Sequence, residues 1–183
     1  TDDFASLESQ GSVRIGLCQL VKDGVLHRIA RGIYYYAGIT GDINVKTSFV
    51  MPSEETIAYA VAERERIRII PYGDQAAKKL GITGMSISML KYLTDGAPRV
   101  INLAKGRKNY FNHTSEVKMF DFCNETMQMI SSAIRALGAD MIGEREKQIL
   151  QEAIRKVPDK EFEKDITIPP AWVQAIMLEI WNR

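Results

Sequence analysis

Residues 12–36 constrain the fold of this 183-residue chain more than any other stretch. Ser12 is a suitable helix N-cap, because a hydroxyl there can accept from a backbone N–H of the first turn. Val13, Leu17, Leu20 and Val21 recur at helical spacing and fall on one face. Gly24 stands where a left-handed C-terminal cap is wanted. Val25, Leu26 and Ile29 then suit a first strand, Ala30-Arg31-Gly32 a glycine turn, and Ile33 to Tyr36 a second, strongly β-prone strand.

The opposite face of the helix carries Ser12, Ile15, Cys18, Gln19 and Lys22, with Arg14 on its flank. It is rich in groups that hydrogen-bond bases or phosphates. Between Gln10 and Tyr36 the cations are Arg14, Lys22, Arg28 and Arg31, against Asp23 alone, while the whole chain has a formal charge of only +1. Such a local surplus attracts phosphate irrespective of sequence. A helix running straight into a basic hairpin is how a winged helix-turn-helix presents its recognition helix and wing. The expected DNA-binding residues are therefore Ser12, Arg14, Gln19 and Lys22 towards the major groove, with Arg28 and Arg31 on backbone or minor groove.

The rest of the chain reads as a second unit. Residues 38–51 lack a helical period and begin with turn formers, which suggests an interdomain connection. Ser53 caps a helix with Glu54 and Glu55 in its first turn and Ile57, Ala60 and Val61 as its buried stripe. Residues 66–70 suggest a strand, and Asp74 to Leu80 a helix stopped by Gly81. Residues 89–94, 100–104 and 109–113 suggest three further strands, with turns at Asp95-Gly96 and Lys105-Gly106; an antiparallel meander is the economical arrangement. Asn124 opens a helix through Met127, Ile130, Ile134 and Leu137, ended by Gly138. Glu144 to Val157 is the next helix, closed by Pro158. Pro169-Pro170 starts the last, with Trp172, Val173, Ile176, Met177, Ile180 and Trp181 on a broad stripe. The fold class is α+β: a partial winged helix-turn-helix over 1–40, a linker over 41–51, and a mixed domain with a meander and C-terminal helices over 52–183.

Composition narrows the functions. The longest apolar runs fall far short of a membrane span, and no signal-like segment stands out. Cys18 and Cys123 are the only cysteines, and His27 and His113 the only histidines. No metal-ligand spacing arises, and the cysteines read as small semi-buried residues of a reducing cytoplasm. Gly81 to Ser86 lacks the Lys-Ser/Thr of a phosphate loop, and His113-Thr114-Ser115 lacks a second base. Glu63, Glu65, Glu144, Glu146 and Asp165 are interleaved with cations in the manner of solvated helix faces. No catalytic residue, metal or cofactor is expected. Lys105, Arg107 and Lys108 form a second basic cluster, open to nucleic acid or an acidic partner.

The run Leu17 to Tyr36, continued by Pro52 to Ala58, Ile69 to Gly73, Ala76 to Gly81 and Tyr92 to Gly96, resembles the AbiEi-type antitoxins of type IV abortive-infection toxin–antitoxin systems. The likeness spans roughly residues 4–115. It implies a winged-helix repressor of its own operon, bound to its own promoter DNA, that counteracts a nucleotidyltransferase-like toxin without a stable complex. The alternative is a stand-alone winged-helix regulator whose C-terminal domain senses a ligand. A winged helix has two helices before its recognition helix, and only eleven residues precede Ser12 here; a short helix capped by Asp2 or Asp3 through Phe4 and Leu7 is all they allow. The first helix is therefore expected to be missing from this chain by truncation or processing.

Overall fold

The computed structural model describes residues 4, 6, 9–36, 51–84, 89–103 and 106–183. Residues 38–50 of the expected connection (38–51), the candidate cap at Asp2 or Asp3, Leu7, Ser86 and Lys105 lie outside them. Helix α1 runs Gln10–Lys22, one helical turn earlier than expected. Its cap is Ser9, whose Oγ accepts from the Ser12 N–H at 3.4 Å; Ser12 is the receiving residue, not the cap. At the other end the Val25 N–H reaches back to the Leu20 carbonyl at 3.0 Å, with Gly24 at φ +72°. That is a left-handed stop, which only glycine adopts cheaply. Strands β1 (Leu26–Ala30) and β2 (Ile33–Tyr36) follow, antiparallel about Arg31-Gly32.

The hairpin is welded to what comes next. The register skips Ile29 between the Arg28–Tyr34 and Ala30–Ile33 pairs, a bulge that leaves this residue out of the ladder. Its side chain is buried with Ile57 and Leu103. Ile57 belongs to helix α2 (Glu54–Glu65), capped as expected by Ser53, whose Oγ accepts from the Thr56 N–H at 3.0 Å. The buried stripe of α2 is Ile57, Ala58, Val61 and Ala62. Ala60 is exposed instead, facing a cleft of about 580 Å³ between α2, the hairpin and Leu17 of α1.

Strand β3 is Ile69–Pro71, shorter than expected. Arg66 cannot begin it, because it ends α2 in the left-handed region at φ 54°. Helix α3 (Gly73–Lys79) packs closely on α4 (Glu125–Leu137). A Cβ on Gly73 would run into the Ser132 carbonyl and the Ala136 side chain, so only glycine lets the two helices approach this far.

Strands β4 (Leu90–Thr94), β5 (Arg99–Asn102) and β6 (Lys108–His113) join β3 in one sheet of order β3-β4-β6-β5. The expected antiparallel meander is thereby corrected: β4 and β6 are parallel neighbours, and β5 is displaced to the edge. Burial explains the order. Tyr92 of β4 and Phe111 of β6 are each 1 % exposed and stack at 5.7 Å, whereas β5 carries Arg99, the half-exposed Val100 and Asn102. The two strands that carry the buried aromatic rings are the inner pair, and β3 and β5 are the edges.

The last third is a helical layer. Asn124 caps α4 through its Oδ1, which accepts from Thr126 N and Met127 N at 2.9 and 3.2 Å. Helices α5 (Glu144–Ile154), α6 (Asp159–Asp165) and α7 (Ala171–Trp181) surround it, and Met127, Ile130, Leu150, Ile154, Val173 and Met177 form its dry centre. Helix α6 has no counterpart in the sequence reading. Its last residue overturns one expectation: Asp165 is fully buried rather than solvated. Its carboxylate accepts from Cys123 N at 3.0 Å, Cys123 Sγ at 3.1 Å and Asn124 N at 2.8 Å, tying the start of α4 to α6. Both cysteines are exposed rather than semi-buried.

Ion pairs clamp the edges. Arg68 donates to Asp95 from its Nε at 2.7 Å and from its backbone at 2.8 Å, reaches Asp121 at 3.1 Å, and lies over the Phe120 ring. Burial alone would raise the Asp95 carboxyl, but these hydrogen bonds from Arg68 outweigh it and hold it below its ordinary value. A hydrogen bond from Arg99 likewise lowers Glu65. A lowered carboxyl stabilises the fold fully above its unfolded value and loses that contribution as pH falls through the lower, folded one. The melting temperature is therefore expected to hold from pH 8 to about 5 and to fall below about 4.5. Asp95→Asn should lower it at neutral pH and make the acid fall shallower. Scanning calorimetry across pH checks both, and an unchanged acid slope in the variant would remove Asp95 from this role.

Candidate nucleic-acid interface

The residues expected to read DNA lie on α1 and the β1–β2 hairpin. Ser12, Arg14, Gln19 and Lys22 of α1 are all exposed, as are Arg28 on β1 and Arg31 at the hairpin tip. The surface between them includes Ile15, 73 % exposed, and Cys18. Leu17 is the one buried residue of α1, with Val13 and Val21 partly covered and Leu20 exposed, so the helix lies lightly on the fold.

Local geometry sets what each group can offer. The Gln19 Nε2 donates to Asp23 Oδ1 at 2.9 Å, a contact across one helical turn that holds the amide near the C-terminal end. Arg28 Nε donates to the Ala30 carbonyl at 3.4 Å, folding the side chain along its own strand. His27 stacks on Tyr35 across the ladder at 5.1 Å and stiffens the hairpin. Because the bulge turns Ile29 inward, Arg28 is free to stay outside.

Among the described residues, no ion pair engages Arg14, Lys22, Arg28 or Arg31. Elsewhere Arg68, Arg107, Arg135 and Arg183 are each paired with a carboxylate at 3.1 Å or less. Four exposed cations with no ion pair among the described residues form a surface suited to phosphate.

The second basic cluster does not come together in the same way. Arg107 Nη1 donates to Glu54 at 3.0 Å and its Nη2 lies 3.4 Å from Met51 Sδ. The fully buried Asn109 donates to the Glu54 carbonyl at 2.7 Å beside it. Arg107 thus braces the first turn of α2 against β6, Lys108 is exposed at the start of β6, and Lys105 lies outside the described residues. His113 closes β6 with its Nδ1 3.0 Å from the Gly96 carbonyl, and Ser115 is exposed beyond it.

A basic, exposed helix and hairpin set on an α+β body is the class of protein that fold and surface define. The chain belongs to a family of unknown function (DUF6088), whose model matches residues 1–162. Neither a curated protein nor a solved structure matches it. Among the described residues there is no helix long and apolar enough to cross a membrane, and no group of three or more His, Cys, Asp or Glu side chains placed to hold a metal ion.

Proposed function

We propose that this protein is a DNA-binding antitoxin that represses its own operon in the cytoplasm and counters a nucleotidyltransferase-like toxin without forming a stable complex with it. In this reading α1 is a recognition helix and the β1–β2 hairpin its wing, together the partial winged helix-turn-helix of the sequence. The observation that carries the DNA half is the set of Arg14, Lys22, Arg28 and Arg31, exposed on α1 and the hairpin and in no ion pair among the described residues. The toxin half rests on the resemblance of residues 4–115 to the AbiEi-type antitoxins. Neutralisation then proceeds without catalysis by this chain.

The test uses the intact protein, because the hairpin shares Ile29 with the core around Ile57 and a cut between them would expose both. The protein should retard a fragment of its own promoter at a competitor concentration that abolishes binding to an unrelated fragment. Expression in trans should restore growth to cells making the toxin encoded beside it. Promoter binding without growth rescue would leave a regulator alone, and rescue without binding would remove the repressor role.

A further inference from the structure

The helical layer contains a recess unrelated to the basic helix and hairpin. Two adjoining cavities of about 420 and 260 Å³ lie against α4 and share Glu116, Met119 and Arg135. The larger is within the range of small-molecule sites. Its walls are mostly apolar: Val117 and Met119 from a 3₁₀ turn (Val117–Phe120), Phe122, and Ile168 to Pro170 at the entry to α7.

Three polar features converge on this apolar space. Ser131 and Ser132 of α4 are 3 % and 6 % exposed, and each lines one cavity. A serine hydroxyl at such a wall can donate to a ligand oxygen. Arg135, one turn further along α4, is the second feature. Its Nη2 donates to the half-exposed Glu116 at 2.9 Å, but its Nη1 faces only the Met119 thioether at 2.8 Å. Sulfur of this kind is a weak acceptor, so half of the guanidinium fork is poorly used. Third, α7 starts at Pro170 with no side-chain cap, which turns the positive end of its dipole to the same recess.

We propose that this recess binds a small organic carboxylate with an apolar body, its head taken by Arg135 and Ser131 and its body by Phe122, Ile168 and Pro169. Glu116 shows which head group Arg135 accepts: an exposed carboxylate of the protein already sits there. A ligand carboxylate displaces it, engages both arms of the fork, and accepts from the Ser131 hydroxyl. Glu116 is then an internal competitor, and its removal improves binding. The proposal goes beyond the DNA-binding reading and is tested without DNA.

The experiment is calorimetric titration of the full chain with 3-phenylpropionate, 3-phenylpropanol and phenyl phosphate. Saturable binding of the carboxylate is expected, with the alcohol weaker by about tenfold. Glu116→Gln should tighten carboxylate binding by several-fold. Ser131→Ala should weaken it by about threefold, and Arg135→Gln by at least about tenfold in a protein shown by its melt to be folded. Lack of saturation up to about 10 mM by both the parent and Glu116→Gln overturns the site. Equal binding of acid and alcohol, or weaker binding after Glu116→Gln, overturns the role of Arg135. Tighter binding of phenyl phosphate than of the carboxylate overturns the head-group assignment.

Discussion

Exchange of Arg28 and Arg31 for serine is expected to flatten the salt dependence of promoter binding by about one to two units of log K per log salt. The loss should be nearly the same on the promoter and on unrelated DNA, at about ten- to a hundredfold in low salt, because wing cations address phosphate and carry no sequence information. Gln19→Ala should behave differently, costing about 1–3 kcal/mol on the promoter alone, since an amide on the helix face reads base edges. Arg183 is the control: it is already engaged by Glu144 and Glu179 at the far end of the sequence, and Arg183→Ser should leave both slope and affinity unchanged. Mobility-shift titrations at four salt concentrations measure all three. A slope unmoved by the double exchange would take the hairpin off the DNA.

Asp165→Ala should be among the most destabilising single substitutions in the chain. It removes one carboxylate that accepts from three donors, Cys123 N, Cys123 Sγ and Asn124 N, at a fully buried position. Donors left without a partner cost roughly 1–3 kcal/mol each before relaxation, so a net loss of about 3 kcal/mol and a fall of about 6–12 °C in melting temperature is expected. Asp165→Asn, which keeps acceptor oxygen, should fall between the two. The same carboxylate pushes the Cys123 thiol up by hydrogen bonding to it. In a Cys18→Ser background, Asp165→Asn should therefore raise the alkylation rate of Cys123 near pH 8, because a larger share becomes thiolate. A folded variant with unchanged stability and unchanged thiol reactivity would show that the contact contributes nothing.

Features set by near neighbours were legible in the sequence. The caps at Ser53 and Asn124, the stops at Gly24, Gly81 and Gly138, and the hairpin turn at Arg31-Gly32 depend on a few adjacent residues, and each lies where the local chemistry requires. Features set by distant partners were not. Turns at Asp95-Gly96 and before Arg107 say where strands end, yet not which strand becomes whose neighbour, so β5 was given the central place that β6 holds. Asp165 sits among Lys164, Glu163 and Glu161 and looks like one more solvated charge; only its contact with residues 123 and 124 distinguishes it. The exposed face of α1 was legible because it follows from period alone, whereas the bracing of α2 by Arg107 joins positions far apart in the sequence. Ser131, Ser132 and Arg135 gave no sequence signal, since serines and an arginine within an apolar helix carry no mark of a shared recess.

The parallel pairing of β4 with β6 also dictates an order of assembly. β5 and β6 are joined by a short connection and can zip together within about ten microseconds. β3 and β4, bridged by α3, form the other local unit. Neither alone covers both faces of Tyr92, and the register that sets it beside Phe111 exists only when the two units meet. In a chain made from its N-terminus, the open side of β4 waits until His113 has emerged, bare of the partner strand that will finally shield it. The moment of greatest exposure to wrong partners is therefore written into the strand order, between the synthesis of residue 94 and that of residue 113.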